Sequence, residues 1–286
     1  MKEPNAMSFH VKYKPEDFMP ANEEEKQSQV IMRESVGFWQ DGFRRLRKNK
    51  VAMVSLFVII VVMIFSFIVP AFYPYDYKTQ IKGSENLHPM QYSEKEIERM
   101  DAGEKVFPHV LGTDKMGRDY AIRVMMGSRI SLLVGLIATA IIFVIGSLIG
   151  SISAFFGGWV DLIIMRIVDI ISTIPLTLYV ILIMQVLGAG IQSIIVALGS
   201  VYWVDMARVV RGQILSLKQQ EFVLAAKTIG SSATTILFDH LIPNALGSIL
   251  VTITMLIPSA IFMEAFLGYL GIGLQPPLAS LGTMCN

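Results

Sequence analysis

Long uncharged, apolar runs alternate along this chain with shorter polar stretches, and the runs are long enough to read as membrane crossings. A spanning helix needs roughly 20 apolar residues, because each adds about 1.5 Å across a hydrocarbon core about 30 Å thick. Residues 51–72 carry no charge and are rich in Val, Ile, Met and Phe, which predicts a first span. Residues 130–160 are again uncharged, enough for a second span and a glycine turn at Gly157-Gly158. A third span is expected over 162–187, interrupted near its start by Arg166 and Asp169. A fourth runs from Ile191 to Met206 or slightly beyond, after the break at Gly188-Ala189-Gly190, and a fifth covers 241–263. Beyond Glu264 the chain stays uncharged but is punctuated by Gly268, Gly271, Gly273, Pro276 and Pro277, which reads as a re-entrant or surface loop. The pattern predicts an all-α integral membrane protein, a polytopic helical bundle of about five spans. The first run does not read as a signal peptide: it starts about fifty residues in, exceeds the 7–15 apolar residues of a signal core, and is followed by Tyr73 and Tyr75, which suit an interfacial anchor.

Lys and Arg near the span ends set the expected orientation. Arg44, Arg45, Arg47, Lys48 and Lys50 crowd before the first span and predict a cytoplasmic N-terminus. Alternation then puts 73–129 outside, 157–161 inside, 188–190 outside and 207–240 inside, and the last of these carries Arg208, Arg211, Lys218 and Lys227. The 73–129 loop is also rich in basic residues, but it is long and holds a similar number of acidic ones, so it weighs less in the rule. The expected organisation is a cytoplasmic segment 1–50, a first transmembrane helix 51–72, an extracytoplasmic loop 73–129 and a transmembrane domain 130–286 that includes the inner loop 207–240. Within the first segment, 1–35 is polar, with Glu23-Glu24-Glu25, and reads as a solvated tail. Residues 36–48 mix Phe38, Trp39, Phe43 and Leu46 with basic residues, which suits an amphipathic helix on the membrane surface.

Composition narrows the class. Of 286 residues 53% are hydrophobic and 16% are charged, too apolar for an ordinary soluble domain and the reverse of a disordered chain. Lys and Arg number 24 against 23 Asp and Glu, a net charge of +1 that argues against a nucleic-acid partner. Cys285 is the one cysteine, so no internal disulfide or cysteine zinc cluster is possible, and the four histidines lie far apart, so no metal site is expected. There is no GxxxxGK[ST], GxSxG or GxGxxG, so neither ATP binding through a P-loop nor catalysis is expected of this chain.

The most informative polar segment is the inner loop. Glu221 to Ile229 is good helix material, and Gly230 stands where a helix C-terminus wants a residue free to take positive φ. Ala225 and Ala226 would let another surface approach closely, and Ser231 and Ser232 can cap a next helix, Ala233 to His240. Such a pair of short helices is either a partnerless surface hairpin or a docking element. Elsewhere, Arg166 and Asp169 lie three apart on one helix face, close enough to pair. That pair is either an interfacial structural contact or part of a gate or subunit contact. Gly146 and Gly150 form a GxxxG that permits close helix packing.

In order along the chain, these features resemble a known family. Glu221-x3-Ala225-Ala226-x3-Gly230, followed by His240-x2-Pro243-Asn244, resembles the EAA loop of ABC-transporter permeases, in the form of the peptide/nickel group's OppC/DppC-type subunit. Leu111-Gly112-Thr113-Asp114-x2-Gly117-Arg118-Asp119 is similar to that group's external motif. Gly127-Ser-Arg129-Ile-Ser131, Gly157-Gly158-x2-Asp161, Met165-Arg166-x2-Asp169, Pro175, Trp203-x3-Ala207-Arg208-x2-Arg211-Gly212 and Glu264-Ala-Phe-Leu-Gly-Tyr-Leu-Gly271-x-Gly273-x2-Pro276-Pro277 extend the match from about residue 37 onward.

The resemblance implies a type I ABC importer permease in a prokaryotic plasma membrane. It implies pairing with a homologous second permease, two ATPase subunits that carry the ATP and Mg, an extracytoplasmic peptide-binding protein, and contact with membrane lipid. Glu221 would meet the ATPase, Ala225 and Ala226 would be the close-packing face, Gly230 the elbow, and Asp239, His240 and Pro243 would fix the second helix and its re-entry into the membrane. The cargo stays open among oligopeptide, dipeptide and nickel. An ion-coupled secondary transporter, the alternative class, would favour buried acidic or histidine groups at mid-membrane, whereas the charges here cluster at span ends. The family usually has a sixth span, and the stretch from Ala279 to Asn286 has no room for one, so five spans with Asn286 outside and a weakly stable isolated chain are expected.

Overall fold

A computed structural model describes residues 38–274 and 277–285; the tail expected over 1–35 and Pro276 of the expected re-entrant segment lie outside the described residues. Two compact units are present, one ending at Val58 and the other beginning at Ile59. In the first, α1 (Phe38–Lys48) forms where an amphipathic helix was expected and carries Arg45, Arg47 and Lys48 in its last turn, where cations suit the negative helix end. α2 (Lys50–Phe67), extended by a single tighter turn at Val69–Ala71, is the first span; from Ile59 onward it and that turn belong to the second unit.

The second unit is a helical bundle. Among the described residues there is no sheet, only isolated bridges at Gln91–His109 and Thr113–Asp119. α3 (Glu94–Asp101) lies in the loop before α4 (Tyr120–Phe156), the bundle's spine. α4 has 37 residues, about 55 Å at helical rise, so it overruns a membrane core of about 30 Å. It begins at Tyr120, ahead of the loop end expected at 129. Arg123 and Arg129 do not interrupt it, because Arg123 turns inward and is only 8% exposed.

α7 (Ile191–Leu217) lies along α4 in the most extensive helix contact of the molecule. The GxxxG expected to permit close packing is at that contact. A Cβ on Gly146 would stand 2.6 Å from the Met206 Cβ, and one on Gly150 would meet the Ala207 backbone. Lipid tails are as apolar as the helices, so this close van der Waals fit, rather than water exclusion, holds the spans together.

The third span is not one continuous helix. α5 (Gly158–Ser172) and α6 (Leu176–Leu187) meet at 88° across Thr173-Ile174-Pro175, so among the described residues four helices are long enough to cross alone, and a fifth crossing exists only if the bent pair counts as one. Pro175 supplies the break, since it lacks an N–H and steers Ile174 away from helical geometry.

After α8 (Glu221–Thr228), α9 (Ala233–Tyr269) runs on past Glu264, where a loop was expected. The chain then returns as α10 (Leu281–Met284), capped by Ser280, and settles on α4 and α9. Gly282 sits so close to Ala265 that a side chain there would overlap its backbone.

Candidate functional site

α8 is short, so its stability must come from tertiary contacts. Val223 and Ala226 supply them, buried in a cluster with Ile214, Leu237, Leu241 and Ala245. Spacing of three puts those two on one face, and the opposite side is left exposed: Glu221, Ala225, Phe222 at 38%, Leu224 at 55% and Ile229 at 83%. The two alanines expected to share a docking face are therefore split. Ala226 seats the helix on its own bundle and Ala225 faces out.

The elbow forms as its sequence demanded. Gly230 has φ of +80°, its N–H bonds the Lys227 carbonyl, and the Ser231 N–H reaches the Ala226 carbonyl, a paired closure of the helix end that a side chain at Gly230 would strain. Ser232 caps α9 by accepting from the Thr235 N–H. α9 then widens into a π turn at Ile236–Leu241. Pro243 explains it: its ring would collide with the Asp239 carbonyl in a regular helix, and it has no N–H to bond there. Asn244 Nδ2 donates to the His240 carbonyl at 2.6 Å across the same turn. Asp239 and Pro243 are exposed and His240 half-buried, all three at this widened turn.

Polar bonds tie the segment to the bundle. Arg211 of α7 donates through Nε and Nη2 to the two Asp161 oxygens of α5, both at 2.5 Å, and Ser153 of α4 donates to the same carboxylate at 2.5 Å. Lys218, at the end of α7, donates to the Phe155 carbonyl at 2.6 Å and stabilises the C-terminus of α4. One turn before Arg211, Arg208 bonds Asp169 at 3.1 Å and Ser172 at 2.9 Å. This corrects the expected Arg166–Asp169 pair. Helical spacing allowed it, but α7 offers Arg208 to a carboxylate and a hydroxyl one turn apart, a two-point contact. Among the described residues no ion pair reaches Arg166, which is exposed beside a cavity of about 310 Å³.

The external motif is a tight loop. Asp114 accepts from the Met116 and Arg118 N–H groups at 2.8 and 3.0 Å and from Arg118 Nε at 2.7 Å. Burial would raise its pKa, but these bonds outweigh it and hold the carboxyl below its ordinary value. Gly112 and Gly117 both have positive φ, with the Leu87 and Ile81 carbonyls where side chains would stand. Asp119 caps α4 through the Ile122 N–H at 3.0 Å.

Asp119 also belongs to a network absent from the sequence reading. His109, fully buried, bonds Asp119 at 2.8 Å through Nδ1 and Glu96 at 3.1 Å through Nε2, beneath the ring of Tyr75 at 4.4 Å. Burial favours neutral imidazole, but the Asp119 bond and the Glu96 charge win and raise its pKa above 6.5. Tyr73 and Tyr75 are pushed up to about 12, first by burial and then by these carboxylates. Glu264, which the sequence places at the end of a span, is a second such group. It is fully buried inside α9 and accepts from Ser131 of α4 at 2.6 Å. Periodicity carried no signal for either group, since each is recruited from distant segments.

Known proteins carry the same arrangement of sequence. Residues 146–286 match the family described as binding-protein-dependent transport system inner membrane component, and residues 37–89 match the N-terminal TM domain of oligopeptide transport permease C. The chain is 43% identical over 269 residues to the oligopeptide transport system permease protein OppC of Bacillus subtilis strain 168, spanning 94% of this chain and 83% of that one. It is 40% identical over 273 residues to the dipeptide transport system permease protein DppC of the same strain, spanning 95% and 80%. To OppC of Escherichia coli K12 it is 39% identical over 259 residues, spanning 91% and 81%. With such identity across most of both chains, joined to a helical membrane bundle, the protein belongs to the OppC/DppC family of binding-protein-dependent transport permeases.

Proposed function

We propose that this chain is the permease subunit of an ATP-driven importer of oligopeptides or dipeptides. It forms half of the translocation path beside a homologous permease, in the plasma membrane of a prokaryotic cell with its N-terminus in the cytoplasm. Two ATPase subunits, which hold the ATP and Mg, dock on the inner side, and an extracytoplasmic binding protein delivers peptide. The observation that carries this reading is α8: Val223 and Ala226 lock it to the bundle while Phe222, Leu224 and Ile229 stay exposed beside Glu221. A rigidly seated apolar face rimmed by charge is what a protein partner covers. Nucleotide binding would then bias the permease between two rigid-body states.

The test is reconstitution with the second permease, the ATPases and the binding protein. ATP-dependent uptake of labelled peptide, with peptide-stimulated hydrolysis, supports the reading. Uptake driven by an ion gradient without ATPases, or uptake of nickel in place of peptide, overturns it.

A further inference from the structure

Where α2 ends and the uncharged part of α4 begins, the bundle leaves a cavity of about 380 Å³. Its walls include Phe67 and Pro70 from the end of the first span, Tyr73 and Asp76 from the segment that follows, and Met126 and Arg129 from one face of α4. Two features of the chain set its depth. The apolar span of α2 closes at Ala71, and Arg129 is the last charged residue before the uncharged run 130–160. Both mark the same membrane boundary, the level at which lipid headgroups lie and at which tyrosines concentrate.

Among the described residues neither charge in this cavity is paired. The Arg129 guanidinium lies 5.3 Å from the Phe67 ring centroid, and among the described residues no carboxylate or hydroxyl bonds it. A guanidinium held over a ring keeps its N–H donors available, and their fork suits a phosphate. Asp76, on the same cavity, likewise makes no ion pair among the described residues, and the two charges do not reach each other. A half-enclosed site holding one unpaired cation and one unpaired anion is complementary to a ligand that carries both signs.

We propose that this cavity binds the headgroup of a phospholipid that carries a primary amine. The phosphate sits on Arg129, the ammonium is directed to Asp76, and the acyl chains run along the exposed apolar surface of α2, past Ile60 and Ile64. Bound there, the lipid ties the first span to α4 and the base of the loop.

The full chain in nanodiscs of phosphatidylethanolamine, phosphatidylglycerol and phosphatidylcholine in equal parts provides the test. Native mass spectrometry counts lipid retained after partial delipidation, for proteins whose helical circular dichroism matches the parent. The parent is expected to retain phosphatidylethanolamine in preference to the other two. Arg129→Gln should lower that retention about tenfold, the loss of a charge-assisted contact. Asp76→Asn should keep lipid but erase the preference over phosphatidylglycerol. Equal retention by Arg129→Gln and the parent overturns the site, as does an Arg129→Lys protein that retains no more lipid than Arg129→Gln. Displacement of the lipid by millimolar inorganic phosphate marks a free-anion site and overturns the lipid assignment. The readout is binding alone, so it does not depend on transport.

Discussion

Arg211 holds Asp161 through two parallel 2.5 Å hydrogen bonds, and with them the helix that leads into α8 is fastened to the first half of the bent third span. Lys218, on the carbonyls that end α4, fastens the same helix to the spine. The helix that leads into α8 is thereby tied to both α4 and α5.

Breaking this clamp should loosen coupling before it abolishes insertion. Asp161→Asn and Arg211→Ala are each expected to cost about 1–3 kcal/mol, as a charge-assisted bond loses its partner. In a double-mutant cycle the two should show coupling of about 0.5–3 kcal/mol. Peptide uptake per ATP hydrolysed should fall in both single variants. Additive effects on unfolding, with uptake per ATP unchanged, would sink the idea.

Asp169 tests the corrected pairing. A cycle on Arg208 and Asp169 should give about 0.2–1 kcal/mol, modest because both side chains are well exposed. The cycle on Arg166 and Asp169 should give none. A larger coupling in the second cycle than in the first would restore the contact expected from helical spacing.

The outer face of α8 predicts a separation of functions. Leu224→Asp or Ile229→Asp should leave the purified permease folded but lower peptide-stimulated ATP hydrolysis about tenfold, because a charge is placed where an apolar contact is made. Gly230→Ala should cost about 1–2 kcal/mol through the left-handed backbone. Val223→Asp should instead unseat the helix and reduce the yield of folded protein. Normal stimulated hydrolysis in the Leu224 and Ile229 variants would contradict the docking role.

The pH response of the loop between α2 and α4 follows from His109. Both ring nitrogens face carboxylates, so the charged imidazole is the form that bonds both. A pKa raised above the unfolded value of about 6.5 means that this stabilisation is complete below that value and is lost as pH rises through the folded one. Hydrogen exchange over residues 80–119 should therefore reveal a looser loop at alkaline pH, and His109→Gln should remove that part of the dependence. Asp114 acts in the opposite sense, since its lowered pKa gives stability that is lost only in acid. An exchange profile of the parent that is flat from neutral to alkaline pH would refute the His109 assignment.

What the sequence alone determined is local. Uncharged runs mark the spans because a charge in hydrocarbon is costly, and Gly230, Ser232 and Pro175 set their elbow, cap and break through backbone geometry that needs no distant partner. Motif order was enough to place the chain in its family. The tertiary structure alone decided which arginine Asp169 takes, which of Ala225 and Ala226 faces out, and that His109 joins Glu96 to Asp119. Each of these depends on which helix or loop packs alongside. An ion pair or a buried face is chosen by the neighbour that arrives with the better geometry, and spacing along one helix records only the pairings that are possible.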